Sequence, residues 1–217
     1  MKYPGGKGAS GVYQRLINQI PPHRVYIESH LGGGALMRYK KPAEINIGLD
    51  IDPAIVQQWD DSSNIDLVCV DAAHYLAHYP FEGDEFLYVD PPYLNSSRRS
   101  KRAIYKYEYT KEQHLDLLQL VITLPCKIMI SGYWSQLYEE NLQNWRHMAF
   151  VTRTRSGREA TESVWMNYSE PQQLHDYRFL GDTYRERERI RRRIERWKER
   201  LETMPPLERN ALLHAIR

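Results

Sequence analysis

Four short apolar runs, each broken off by an acid or by glycines, limit what this chain can become. They are Arg24 to His30 before Leu31-Gly32-Gly33-Gly34, Ile45 to Leu49 before Asp50, Asp66 to Val70 before Asp71, and Glu85 to Val89 before Asp90. Runs of this length between turn signals read as buried strands, and the stretches between them carry helical spacing. Val12, Leu16, Ile17 and Ile20 make one stripe of a helix over residues 8–20, closed by Pro21-Pro22, and a helix over Ala72 to His78 follows Asp71. Alternating strands and helices make a mostly parallel sheet, and such a sheet binds ligands beyond its strand C-termini. Glycines and carboxylates at four strand ends therefore point to one shared cleft.

The rest of the chain extends the pattern. A helix over Lys111 to Thr123 and a strand over Cys126 to Ser131 form another pair, and strands over Met148 to Thr154 and Thr161 to Tyr168 face each other across Arg155-Ser156-Gly157-Arg158 as a hairpin. From Gly181 the composition changes: Tyr184 to Met204 carries nine Arg or Lys against five Glu, with Ile190, Ile194, Trp197, Leu201 and Met204 at helical spacing. Pro205-Pro206 ends that helix, and Leu207 to Ile216 forms another. The organisation expected is an α/β catalytic unit over 1–170 and a basic helical extension over 181–217.

Composition removes several classes. At 41% hydrophobic residues the chain is globular rather than disordered, and a formal net charge of +2 makes any nucleic-acid footprint local. No run approaches the ~20 apolar residues of a membrane helix, and the first residues lack a signal-peptide pattern. Cys69 and Cys126 both sit in apolar runs, where a thiol behaves as a small buried hydrophobe, so a reduced, cytoplasmic protein is expected. With no C-x-x-C and no close pair of histidines, no metal site is expected.

The stretch with the most chemistry is Asp90-Pro91-Pro92-Tyr93. Asp90 accepts hydrogen bonds, the prolines stiffen the loop and leave their carbonyls as acceptors without competing donors, and Tyr93 offers a ring on which another can stack. The loop suits a planar base with an exocyclic amino group, whose two hydrogens two acceptors can hold. A rigid turn after a strand is the alternative for these four residues alone.

Taken with Lys2-Tyr3-Pro4-Gly5-Gly6-Lys7, Glu28 to Ala35, Asp50-Ile51-Asp52-Pro53 and Asp71, in that order, the sequence resembles the DNA adenine methylase (Dam-like) family of S-adenosylmethionine-dependent amino-methyltransferases over residues 2–168. The resemblance implies a Rossmann-like methyltransferase sheet with a terminal antiparallel hairpin, S-adenosylmethionine as cofactor, and the N6 amino group of a flipped-out adenine in duplex DNA as target. It places Tyr3, Lys7, Glu28, Gly32, Gly33, Gly34, Asp71 and Asp90 around the cofactor, with Glu28 on the methionine amino group and Asp71 near the adenine. Asp50 takes the ribose hydroxyls, as an acid ending a second strand does in this architecture. Asp52 instead caps the next helix, and Asp71 has the same alternative. Asp90, Pro91, Pro92 and Tyr93 form the catalytic loop. One departure is Glu28-Ser29-His30, where the family has Glu-Pro-Phe; His30 either fills the aromatic place or is structural.

Beyond that loop, Arg98, Arg99, Lys101, Arg102 and Lys106 interleave with Tyr105, Tyr107 and Tyr109, a pattern suited to phosphates and bases. Arg98, Arg99, Lys101, Arg102 and Tyr105 are the expected nucleic-acid contacts. Only eighteen residues separate Asp71 from Asp90, which leaves no room for the target-recognition segment of many family members. Either a short or loosely read target is expected, or recognition has moved to Asn95 to Thr110 and the C-terminal helices; a phage-type enzyme is expected, and a partner restriction endonuclease stays open. The rival readings are an RNA adenine or cytosine-N4 methyltransferase and a non-catalytic nucleic-acid-binding protein on the same scaffold.

Overall fold

The structure is a computed structural model that describes residues 6–8, 11–59, 64–98, 104–153 and 157–216. The elements in chain order are α1 (Val12–Ile17), β1 (Val25–Glu28), α2 (Ala35–Tyr39), β2 (Ile45–Asp50), α3 (Pro53–Val56), β3 (Asp66–Cys69), α4 (Ala72–His78), β4 (Glu85–Val89), α5 (Lys111–Val121), β5 (Lys127–Gly132), α6 (Gln136–Asn141), β6 (Arg146–Arg153), β7 (Glu159–Met166), α7 (Tyr184–Thr203) and α8 (Pro206–Ala215). The seven strands form one sheet in the order β3-β2-β1-β4-β5-β7-β6. The first five are parallel; β7 runs antiparallel to β5 and pairs with β6 as the expected hairpin.

Burial follows from the strand period of two. Along β4, Phe86 and Tyr88 enter one core with Leu16, Ile17, Ile20 and Leu36, while Leu87 and Val89 enter the other with Leu76, Leu117, Leu118 and Val121. Every residue of β4 is buried, as a strand covered on both faces requires. β4 and α4 have the boundaries expected from sequence, whereas α1 is shorter, ending at Ile17 before a turn that still buries Ile20. α6 is not legible in the sequence; Ser135 caps it by accepting from the Tyr138 amide.

Cys69 corrects an expectation. It is exposed, because β3 is an edge strand covered only in part, whereas Cys126 is buried as expected. The segment before α7 folds back on the body: the His175 amide donates to the Ile20 carbonyl, and buried Asp176 accepts from the Lys41 amide. No residue of α7 or α8 is buried. Among the described residues no helix is long and apolar enough to cross a membrane, and no cluster of His, Cys, Asp and Glu is placed to hold a metal.

Candidate active site

Parallel register brings the strand ends to one edge. Glu28 lies beside Gly48 and Tyr88, and Asp50 beside Cys69, so Glu28, Asp50, Asp71 and Asp90 surround one cavity of about 370 Å³. Gly6, Lys7, Gly32, Gly33, Gly34, Pro91 and Pro92 also line it, and residues 104–109 form its outer wall. This volume suits a small organic ligand.

The glycine turn is shaped for close approach. Gly34 has φ +54°, and a Cβ there would stand 2.1 Å from the Trp59 ring, so no other residue fits without displacing the indole. Asp50 ties this turn to the end of β2: one carboxylate oxygen accepts from the Gly32 amide at 2.9 Å and the other from Asp52 at 2.9 Å. Each oxygen retains a lone pair for a ligand hydroxyl. Asp52 caps α3 through the Ala54 amide, as expected, and Asp71 caps α4 through His74 while also lining the cavity.

Glu28 is buried, and both of its hydrogen bonds, from the Tyr26 hydroxyl and the Met37 amide at 3.0 Å each, fall on Oε2. Burial pushes its carboxyl up to about 8, against the two hydrogen bonds. Oε1 is left to meet a cationic ligand. His30 is a wall of the cavity whose ring nitrogens are paired with Ser29 and with the Tyr109 hydroxyl, and burial pulls it down to about 3. It is a neutral ring packed edge-on to Tyr109.

Asp90 sits in a network the sequence did not reveal. Lys7 donates to its Oδ1 at 2.7 Å and Oδ2 at 2.9 Å, and Ser131 donates to Oδ1 at 2.9 Å. Ser131 in turn bonds the Tyr88 hydroxyl at 2.7 Å. Two donors therefore occupy Oδ1 and one occupies Oδ2, leaving Oδ2 with room for one more. Lys7 also lies 3.2 Å from Glu162, which reaches this edge because β7 enters the sheet antiparallel. Burial pulls the Lys7 ammonium down, but Asp90 and Glu162 outweigh it and hold the group well above the ordinary lysine value. Burial pushes the Glu162 carboxyl up, with Lys7 opposing.

Tyr93 and Arg98 differ from expectation. Tyr93 is no open stacking face: it is 8% exposed, its hydroxyl bridges Lys7 and Glu162, its ring packs edge-on to Tyr133, and it does not line the cavity. A buried phenol takes polar partners where it finds them, and here two charged groups supply them. Arg98 is buried and forks onto Glu108, whose carboxylate also accepts from the Ile104 and Tyr105 amides, so it orders the loop rather than reaching for phosphate. Lys106 pins the loop to Asp52 at 2.9 Å. Tyr105, Tyr107 and Tyr109 line the cavity. Tyr3, Arg99, Lys101, Arg102 and the hairpin residues Arg155 and Ser156 lie outside the described residues.

Strand order and the placement of the cleft define a Rossmann-like α/β fold, a mostly parallel sheet that ends in an antiparallel hairpin. No protein-family profile matches the chain, and no curated protein matches it in sequence. Among solved structures it is similar to the 23S rRNA methyltransferase ErmE, with 14% identity over 75% of this chain and 70% of that one and a TM-score of 0.47. It is also similar to a SAM-dependent methyltransferase from Agrobacterium tumefaciens, with 13% identity over 72% and 60% and a TM-score of 0.46. The plantazolicin methyltransferase BamL, solved with SAH, aligns at 9% identity over 73% and 86% with a TM-score of 0.48.

Proposed function

We propose that this chain transfers a methyl group from S-adenosylmethionine to the N6 amino group of adenine in DNA. The observation that carries the reading is the meeting of two kinds of group in one cavity: the Asp90-Pro91-Pro92 acceptor loop, and the glycine turn flanked by Glu28 and Asp50. The cavity fits the cofactor. Buried Glu28 keeps one oxygen for an ammonium, Asp50 keeps acceptor capacity for ribose hydroxyls, and the Gly32–Gly34 turn admits close contact. When bound, S-adenosylmethionine supplies an electrophilic methyl group.

The chain's own residues prepare the nucleophile. An exocyclic amino group is weakly nucleophilic because its lone pair is delocalised into the ring. Oδ2 of Asp90 accepts one amino hydrogen and the Pro91 carbonyl the other, which frees the lone pair to point away from the ring plane. Lys7 and Ser131 hold the carboxylate still, so the acceptor does not have to reorganise during transfer. Tyr93 acts from behind, as a strut fixing Lys7 against Glu162. Residues 104–109 form one wall of the cavity.

The test is incubation of the purified protein with methyl-labelled S-adenosylmethionine and unmethylated duplex DNA, with single-stranded DNA and RNA in parallel, followed by identification of the modified nucleoside. N6-methyladenine from DNA supports the reading. Label in RNA alone transfers the reading to an RNA adenine, and no label in any substrate returns it to a binding scaffold.

A pH dependence of cofactor binding follows from Glu28. Its carboxyl sits near 8 in the free protein, so a cationic ligand that needs the carboxylate must expel a proton below that pH. Lys40, pulled down to about 7 by burial, is already charged at pH 6 and does not compete for that proton there. Affinity is therefore expected to rise about tenfold per pH unit from 6 to 7 and to level off near 8. Calorimetry at pH 6 in buffers of different ionisation enthalpy should show close to one proton released, and Glu28→Gln should remove both the release and the slope.

A further inference from the structure

We propose that one face of α7 docks on the phosphate backbone of duplex DNA. The inference rests on the nucleic-acid substrate proposed above, but uses residues that take no part in the cavity. Placed at 3.6 residues per turn, Arg185, Arg189, Arg192, Arg193, Arg196 and Arg200 fall within about 100° of arc and run along about 22 Å of helix. All six are exposed. Four of the five acids lie off this face: Glu188, Glu195, Glu199 and Glu202 share an adjoining arc of about 60°, and Glu186 borders its other edge.

A helix laced with intrahelical pairs would spread its acids among its bases. Here the ion pairs are Arg189 with Glu186 at 3.4 Å and Arg191 with Glu188 at 2.7 Å. Arg185, Arg192, Arg193 and Arg196 have no carboxylate partner among the described residues. Four arginines without a carboxylate partner on one face call for an anionic partner.

The composition of the face selects the partner. Single-stranded nucleic acid is held by stacking on aromatics, and the one tryptophan of this helix, Trp197, lies on the apolar stripe with Ile190, Ile194 and Leu201. Duplex RNA offers phosphates of the same charge, so the choice of DNA rests on the substrate proposed above. Charge alone remains, which suits the phosphates of duplex DNA. Self-association through the apolar stripe is opposed by its flanks: Arg187, Arg191 and Lys198 border one side, and Arg193 and Arg200 with the single acid Glu186 border the other, so two copies would face mostly like charge with like. Docking here also supplies, outside the compact catalytic sheet, a means of holding DNA that the short stretch between Asp71 and Asp90 has no room to provide.

The test is the salt dependence of binding, by fluorescence anisotropy of the full chain with a labelled unmethylated duplex. Each phosphate contact contributes about 0.9 to the slope of log K against log salt, so R192Q/R193Q/R196Q is expected to lower the slope by about 2 to 3. R192K/R193K/R196K should keep the slope, because the charge is unchanged. Lys41→Gln/Lys127→Gln, on the catalytic body, should leave it alone. An unchanged slope in the glutamine variant overturns the proposal even where labelled methyl still enters DNA. A fall in slope without methylation of DNA upholds the docking face and defeats the substrate reading. Loss of binding to phosphatidylserine vesicles, or of a dimer by light scattering, with the DNA slope intact assigns the face elsewhere and also overturns the proposal.

Discussion

Asparagine at position 90 is expected to slow methyl transfer about 100- to 1,000-fold, the usual cost of removing one preorganised polar group from a transition-state site, and alanine is expected to abolish it. The two substitutions separate charge from shape. Asparagine keeps the size of the side chain but replaces one acceptor oxygen with a donor, which opposes an incoming amino group, and it leaves Lys7 with Glu162 as its remaining carboxylate partner. Alanine also removes the group that Ser131 and Lys7 position. Binding of S-adenosylmethionine should survive in part in both, because Glu28 and Asp50, the cofactor contacts proposed above, are held by hydrogen bonds that do not involve Asp90. Single-turnover transfer of a labelled methyl group, beside an equilibrium titration of the cofactor, reads the two effects separately. Full activity in Asp90→Ala would sink the mechanism. Ser131→Ala, which removes one of the two donors to Oδ1, should show a smaller loss of the same kind.

The parts of this site that sequence discloses are those whose chemistry is local. Glu85 to Val89 could be bounded to the residue because an unbroken apolar run meets a proline loop, and α4 because Asp71 caps it. The glycine turn and the four acids follow from strand ends, which parallel register must bring together. What was hidden depends on distance along the chain. Lys7 and Asp90 are 83 residues apart and Tyr93 and Glu162 are 69 apart, and no periodicity links either pair. Glu162 reaches the cleft only because β7 inserts antiparallel between β5 and β6, so that an early residue of this strand lies at the edge where the parallel strands end. Arg98 reads as a free cation until Glu108, ten residues on, folds back to meet it.

Lys7→Met is expected to destabilise the protein by about 3–5 kcal/mol, the cost of stranding buried charge by removing its partner. Lys7 and Glu162 side chains are each 5% exposed and that of Asp90 is 17% exposed, so water does little to screen them. Without the ammonium, two carboxylates and the Tyr93 oxygen face one another across the space it filled. For a chain of this size the loss corresponds to a fall of roughly 6–20 °C in Tm. The sign of the pH dependence identifies the cause. Unpartnered carboxyls have folded-state pKa values raised above their unfolded values, which costs stability once the unfolded groups ionise and nothing below that point. The gap between variant and wild type should therefore narrow as pH falls from 8 to 5, and thermal unfolding at the two pH values measures it. Lys7→Met/Glu162→Gln, which leaves one stranded carboxylate instead of two, should recover part of the loss, a non-additive result that a merely apolar role for the lysine stem would not produce. A gap that does not vary with pH, with no recovery in the double variant, would mean that Lys7 contributes packing and that Asp90 is held in place by Ser131.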